Sequence, residues 1–169
     1  MRLRKIALTA GSLAIVGASF WLTLTALRHI NSTEVPAKVQ TATRIPLDSF
    51  YVNPGCLFSG ASAERLLTTL PQQGAFALTA PLPFPPGSTA PGKIRARLQV
   101  LEGRLSILVL EKIGEGQPIT EKAVNPTGEL VQVDVDLPEV ARARLVVLRN
   151  VSANGTRARA RIISIEAIS

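Results

Sequence analysis

Histidine is all but missing from this sequence, and the single one, His29, sits at the end of an apolar leader. Hydrolytic triads and Cys/His nucleophile pairs need an imidazole held in place by the fold, so both are excluded. Cysteine is equally scarce. Cys56 alone forbids an intrachain disulfide and a cysteine–histidine zinc site within one chain, and it reads as a small passive residue. Aromatic residues make up 4% of the chain, with one Trp and one Tyr, which leaves little material for stacking on bases. Neither a G-x-x-x-x-G-K nor a G-x-G-x-x-G phosphate cradle occurs. Asp134 and Asp136, two residues apart in an alternating run, read as a solvated strand face and not as an acid/base pair. The expectation is a protein that is not an enzyme and uses no cofactor or metal.

Charge has to be divided by region before it says anything about partners. The formal net charge is +7, from 19 basic and 12 acidic residues. Setting aside Arg2, Arg4, Lys5 and Arg28, which flank the leader, leaves 15 basic residues against the same 12 acidic ones. An excess of about three is too small to track a phosphate backbone, so nucleic acid is not expected as a partner.

The long hydrophobic run is confined to residues 6–27, where 22 positions pass without a charge. As a helix rising 1.5 Å per residue this run is about 33 Å long, enough to cross the hydrocarbon core. Leu8, Leu13, Ile15, Phe20, Trp21 and Leu24 supply its bulk. A cleaved secretory signal ending near Val16-Gly17-Ala18 is the competing reading, but the apolar run continues well past that point. Residues 1–28 are therefore expected to be a single-pass anchor in the lipid bilayer of the inner (cytoplasmic) membrane. The basic residues before the run place the N-terminus in the cytoplasm and the rest in the periplasm or outside the cell. Residues 29–47, with Pro36 and Pro46 and no sustained period, read as a linker.

From residue 48 to residue 169 the sequence reads as short apolar runs broken by turn signals. In 93–101, Ile94, Ala96, Leu98 and Val100 share one face while Lys93, Arg95, Arg97 and Gln99 share the other. Residues 104–113 are almost continuously apolar, as expected of a strand covered on both faces. A short strand over 119–124, a turn at Asn125-Pro126-Thr127-Gly128 and a cleanly alternating strand over 129–137 follow. Residues 144–151 form another buried strand, and Ser152 to Gly155 reads as a hairpin turn into a last strand over 156–168. The apolar phase of that strand swaps near Arg161 to Ile163, which predicts a bulge there. Earlier, 49–52 and 74–82 read as strands, 64–70 as a short helix or helical turn, and 81–92 as a proline-rich loop. The fold class is mainly β, an antiparallel sandwich of the jelly-roll type behind one transmembrane helix.

Arginines recur at strand spacing: Arg95 and Arg97, Arg142 and Arg144, and Arg157, Arg159 and Arg161. The last three would share a face over about 13 to 14 Å. Such rows suit an acidic glycan, anionic lipid head groups or an acidic protein. The alternative is an edge strand whose charges block aggregation, paired across the sheet with Asp134 and Asp136.

The strand from Gly103 to Leu110, the alternating valines at 131, 133 and 135, the L-V-V-L-R-N stretch at 145–150 and the terminal R-I-I-S-I-E at 161–166 together resemble galactose-binding-like and carbohydrate-binding-module-like jelly rolls. That resemblance implies a sandwich that binds sugars through aromatic platforms or loop polar groups. It also implies a structural calcium held by acidic residues near the chain ends, where Asp48 and Glu166 would be the candidates. Only Phe50, Tyr51, Phe58, Phe76 and Phe84 could furnish a platform beyond the leader. The leading functional expectation is a membrane-anchored accessory or scaffolding subunit docking its β domain on a larger membrane or envelope complex. The alternative is a carbohydrate-binding module for acidic envelope glycans.

Overall fold

The computed structural model describes residues 40–169 apart from 86, 115 and 116. The expected anchor, with Leu8, Leu13, Ile15, Phe20, Trp21 and Leu24, lies outside the described residues. Among the described residues no helix is long and apolar enough to cross a membrane.

Period-two alternation sets the longest strands. Ile94, Ala96, Leu98 and Val100 are fully buried, and every residue between them faces away from the core, as their spacing predicts. In chain order the strands are β1 (Ala42–Ile45), β2 (Tyr51–Val52), β3 (Leu57–Ala61), β4 (Glu64–Thr68), β5 (Phe76–Pro81), β6 (Gly92–Glu102), β7 (Leu105–Leu110), β8 (Thr120–Val124), β9 (Val131–Leu137), β10 (Leu145–Asn150) and β11 (Arg159–Ile168). They form two antiparallel sheets. The first runs β3-β4-β11-β6-β9, with β1 also paired to β11, and the second runs β2-β5-β10-β7-β8. Ile94, Leu98, Ile162 and Ile165 of the first sheet share one core with Leu78, Ile107, Val146 and Leu148 of the second. The architecture is a mainly β sandwich.

The bulge falls where the phase swap placed it. Ile162 pairs with Leu98 and Ser164 pairs with Arg97, so Ile163 is left over and turns the phase of everything after it. Ala160 and Ile162 are buried before it, Ile165 and Ala167 after it.

Four local readings are corrected. Residues 42–45, expected in the linker, form β1 because Ile45 and, just beyond, Leu47 pack into the core while the backbone pairs with Ile165–Ile168. Residues 64–68 are β4 and not a helical turn. Leu66, Leu67 and Leu70 fit a helical face by spacing, but β3 and β11 supply ladder partners on both sides. The Asn154-Gly155 step is not a hairpin, because β10 and β11 belong to different sheets and residues 151–158 cross between them. β11, finally, is central rather than an edge strand.

The crossing is held by buried polar groups. Asn150 is fully buried; its Nδ2 donates to the carbonyls of Leu70 and Thr156 at 2.8 Å each, and its Oδ1 accepts from the Ser152 amide at 2.9 Å. Gly103, with φ +67°, packs beneath it: a Cβ there would stand 2.5 Å from the Ser152 hydroxyl and from the Arg157 carbonyl. Replacing Asn150 with Ala removes the side-chain donor to the Thr156 carbonyl and the acceptor of the buried Ser152 amide, and should cost about 2 to 4 kcal/mol in urea unfolding. A loss no larger than that of the exposed control Asn154→Ala would show that the crossing is held by something else.

Candidate binding face

Of the arginine rows, Arg95, Arg97, Arg159 and Arg161 lie on the outer face of the first sheet, and all but Arg97 are neutralised there. Arg95 donates from Nε and Nη2 to the two oxygens of Asp134, both at 2.9 Å, across the β6–β9 ladder. That hydrogen bond, with the guanidinium charge and Lys93 nearby, holds the Asp134 carboxyl below its usual range. Arg161 donates to Glu64 at 2.7 Å and to Gln99 at 3.3 Å, and Arg159 reaches Glu102 at 3.5 Å. Arg142 pairs with Glu111 in the loops. Arg157 precedes β11 and so does not extend the row, because the amide of Ala158 is bonded to the Thr69 hydroxyl instead. Arg97 is exposed and carries no ion pair among the described residues. Asp48 and Glu166 are not brought together either. Asp48 pairs with Arg65, whereas Glu166 stands opposite Arg44 and Arg95. Among the described residues no group of three acidic, cysteine or histidine side chains could hold a metal.

The outer face of the second sheet is different in kind. All six residues of β7 are buried, although half of them point away from the core. Of those outward residues, Ser106, Leu108 and Leu110, the two leucines join Val147 of β10 in a second apolar cluster, with Phe76 and Leu145 packed against it. The registers lay out one row as Tyr51, Thr79, Val147, Leu108 and Glu121, and a neighbouring row as Phe76, Arg149, Ser106 and Ala123. Tyr51 is 62% exposed at the β2 edge.

One polar network crosses this apolar surface. Arg149 donates from Nε and Nη2 to the two carboxylate oxygens of Glu121 at 2.9 and 2.6 Å, and the buried Ser106 hydroxyl donates to the same carboxylate at 2.5 Å. Burial alone would push the Glu121 carboxyl up. The hydrogen bonds from Ser106 and Arg149, with the guanidinium charge, outweigh it and hold the group below its ordinary value of 4.5. The face therefore sets the exposed Tyr51 and the half-buried Phe76 on the same side as a fixed, charge-balanced set of donors and acceptors, over an aliphatic layer that is itself buried.

Sequence reasoning passed over Ser106, Glu121 and Arg149, and did not single out Tyr51 and Phe76 among the five aromatics. The available signal was a charge, Arg149, in the midst of the apolar stretch LVVLRN. Such a charge needs a partner, and Glu121 supplies it from a strand 28 residues earlier.

Because the folded pKa of Glu121 is depressed, its contribution is present in full above about pH 4.5 and is lost as pH falls through the folded value. Glu121→Gln should cost about 1 kcal/mol at neutral pH. The gap between wild type and variant should stay open above about pH 4.5 and close as pH falls from there through the lower folded value in denaturant melts. A gap independent of pH would refute the assigned network.

No protein-family model matches the chain, and no curated protein matches it in sequence. Solved structures do match in fold. An aspartate-to-alanine variant of a family 29 carbohydrate-binding module aligns with a TM-score of 0.55 at 19% identity, covering 76% of this chain and 91% of that one. A lysine-to-alanine variant complexed with cellulohexaose gives 0.54 at 18% identity, over 76% and 91%. A further variant, complexed with mannohexaose, gives 0.53 at 19% identity, over 76% and 92%. The described domain thus shares the β-sandwich fold of carbohydrate-binding modules.

Proposed function

We propose that this protein is a non-catalytic glycan-binding module whose ligand lies on the outer face of the second sheet. The observation that carries the reading is Phe76 standing opposite Arg149 of the Arg149–Glu121–Ser106 network, with the exposed Tyr51 on the same outer face at the β2 edge. Pyranose rings present C–H faces to aromatic surface and hydroxyls to fixed donors and acceptors, and this face supplies both. The sandwich fold shared with modules seen bound to cellulohexaose and mannohexaose supports the same reading, and favours it over an accessory subunit. The ion pairs of Arg95, Arg159 and Arg161 argue against acidic glycans as the main ligand, because their guanidinium groups are already engaged. A chain of β-linked neutral hexoses is the ligand class proposed. The apolar run at 6–27 would hold the module at the inner membrane with its binding face outside the cytoplasm.

Affinity electrophoresis in a gel containing soluble glucomannan tests this directly. The wild type should be retarded and Tyr51→Ala should bind about tenfold more weakly, a difference of about 1.4 kcal/mol. The triple change of Arg157, Arg159 and Arg161 to Gln should leave retardation unchanged. Equal retardation of wild type and Tyr51→Ala, or loss in the arginine triple variant, would overturn the assignment of the face.

A further inference from the structure

A second concavity, of about 320 Å³, lies on the first sheet, where β6 begins and β9 and β11 end. The registers bring Gly92 opposite Leu137, Lys93 opposite Asp136, and Ile168 opposite Lys93. Gly92 is what lets the strands close up here, since a Cβ would stand 2.6 Å from the Ile168 carbonyl and from Val140. Pro91, Leu137, Pro138 and Ile168 give the concavity an apolar wall, and Lys93 and Asp136 stand in it as polar groups.

These two polar groups differ from the other charges of the sheet. Asp134, Glu64 and Glu102 each have a guanidinium partner, whereas Asp136 is exposed and accepts no hydrogen bond among the described residues. Lys93 is only loosely engaged, its ammonium standing 3.6 Å from Asp134 and leaving protons to donate. A free carboxylate accepts hydrogen bonds from two adjacent hydroxyls, an ammonium donates to a hydroxyl or ring oxygen, and proline and leucine carbons cover a C–H face. One acidic and one basic side chain line the concavity, so these side chains give it no excess positive charge to hold a negatively charged sugar.

We infer that this concavity is a second carbohydrate subsite, taking one neutral pyranose unit with Asp136 as hydroxyl acceptor, Lys93 as donor and the Pro91–Pro138 wall against the ring. The inference rests on the glycan-binding reading but uses another sheet and other residues. It gives the module two contact points for a glycan instead of one.

Amide chemical-shift titration of the full chain, in a detergent without a sugar head group, provides the test, with methyl β-D-glucopyranoside and glucuronate as probes. The glucoside should shift the amides of Lys93, Asp136 and Leu137 in a saturable way, and glucuronate should leave them in place. Asp136→Ala should weaken the glucoside at least fivefold with an unchanged thermal midpoint, and Tyr51→Ala should leave those shifts intact. Unmoved pocket amides, an unaffected Asp136→Ala, or equal binding of glucuronate would overturn the subsite. If Tyr51→Ala still loses glucomannan retardation while the pocket amides stay silent, the platform stands and only the subsite falls.

Discussion

β11 is the last strand in the chain and the one on which the first sheet depends. It pairs with β6 along one side and with β4 and then β1 along the other, so strands from both ends of the domain find their ladder partners on it. Arg44 stands opposite Glu166, and Arg65 opposite Ile162. The bulge at Ile163 matters for the same reason. Without the extra residue, the apolar positions before and after it would point to opposite faces, and β11 could not serve β4 and β1 from one core.

The second sheet is organised by a surplus of apolar side chains. β7 and β10 have enough Leu, Ile and Val to fill the core and to furnish a layer on the other side, where Leu108, Leu110 and Val147 lie. That layer is itself buried, with Phe76 and Leu145 packed against it. The first sheet has the opposite exterior, a lattice of cross-strand ion pairs whose individual contributions to stability are small. Two outer faces of contrasting chemistry thus share one core, one with a buried aliphatic layer crossed by a single ion pair and the other covered by a lattice of ion pairs.

Much of this was legible from period-two alternation. β6, β9 and the buried β7 can be read residue by residue, and so can the position of the bulge, because each is a statement about neighbours two apart. β1 and β4 were not legible. Four residues of β1 carry no period of their own, and the leucines of β4 satisfy a helical spacing until their ladder partners are known. The candidate face was hidden for a stronger reason. Tyr51, Phe76, Glu121 and Arg149 come from four strands of differing position in the chain, and only the order β2-β5-β10-β7-β8 brings them together. The arginine rows were visible and their partners were not, so spacing alone overstated the free positive charge.

The central place of β11 bears on how such a chain is made. Residues 159–168 follow β4 and β6 in the chain, and until they are added those two strands lack the ladder partner that β11 gives them. The hairpin of β3 and β4 can form from neighbours alone, whereas the middle of the first sheet waits on pairings between residues nearly a hundred positions apart. Closure of that sheet is therefore the slow, long-range step in making the sandwich.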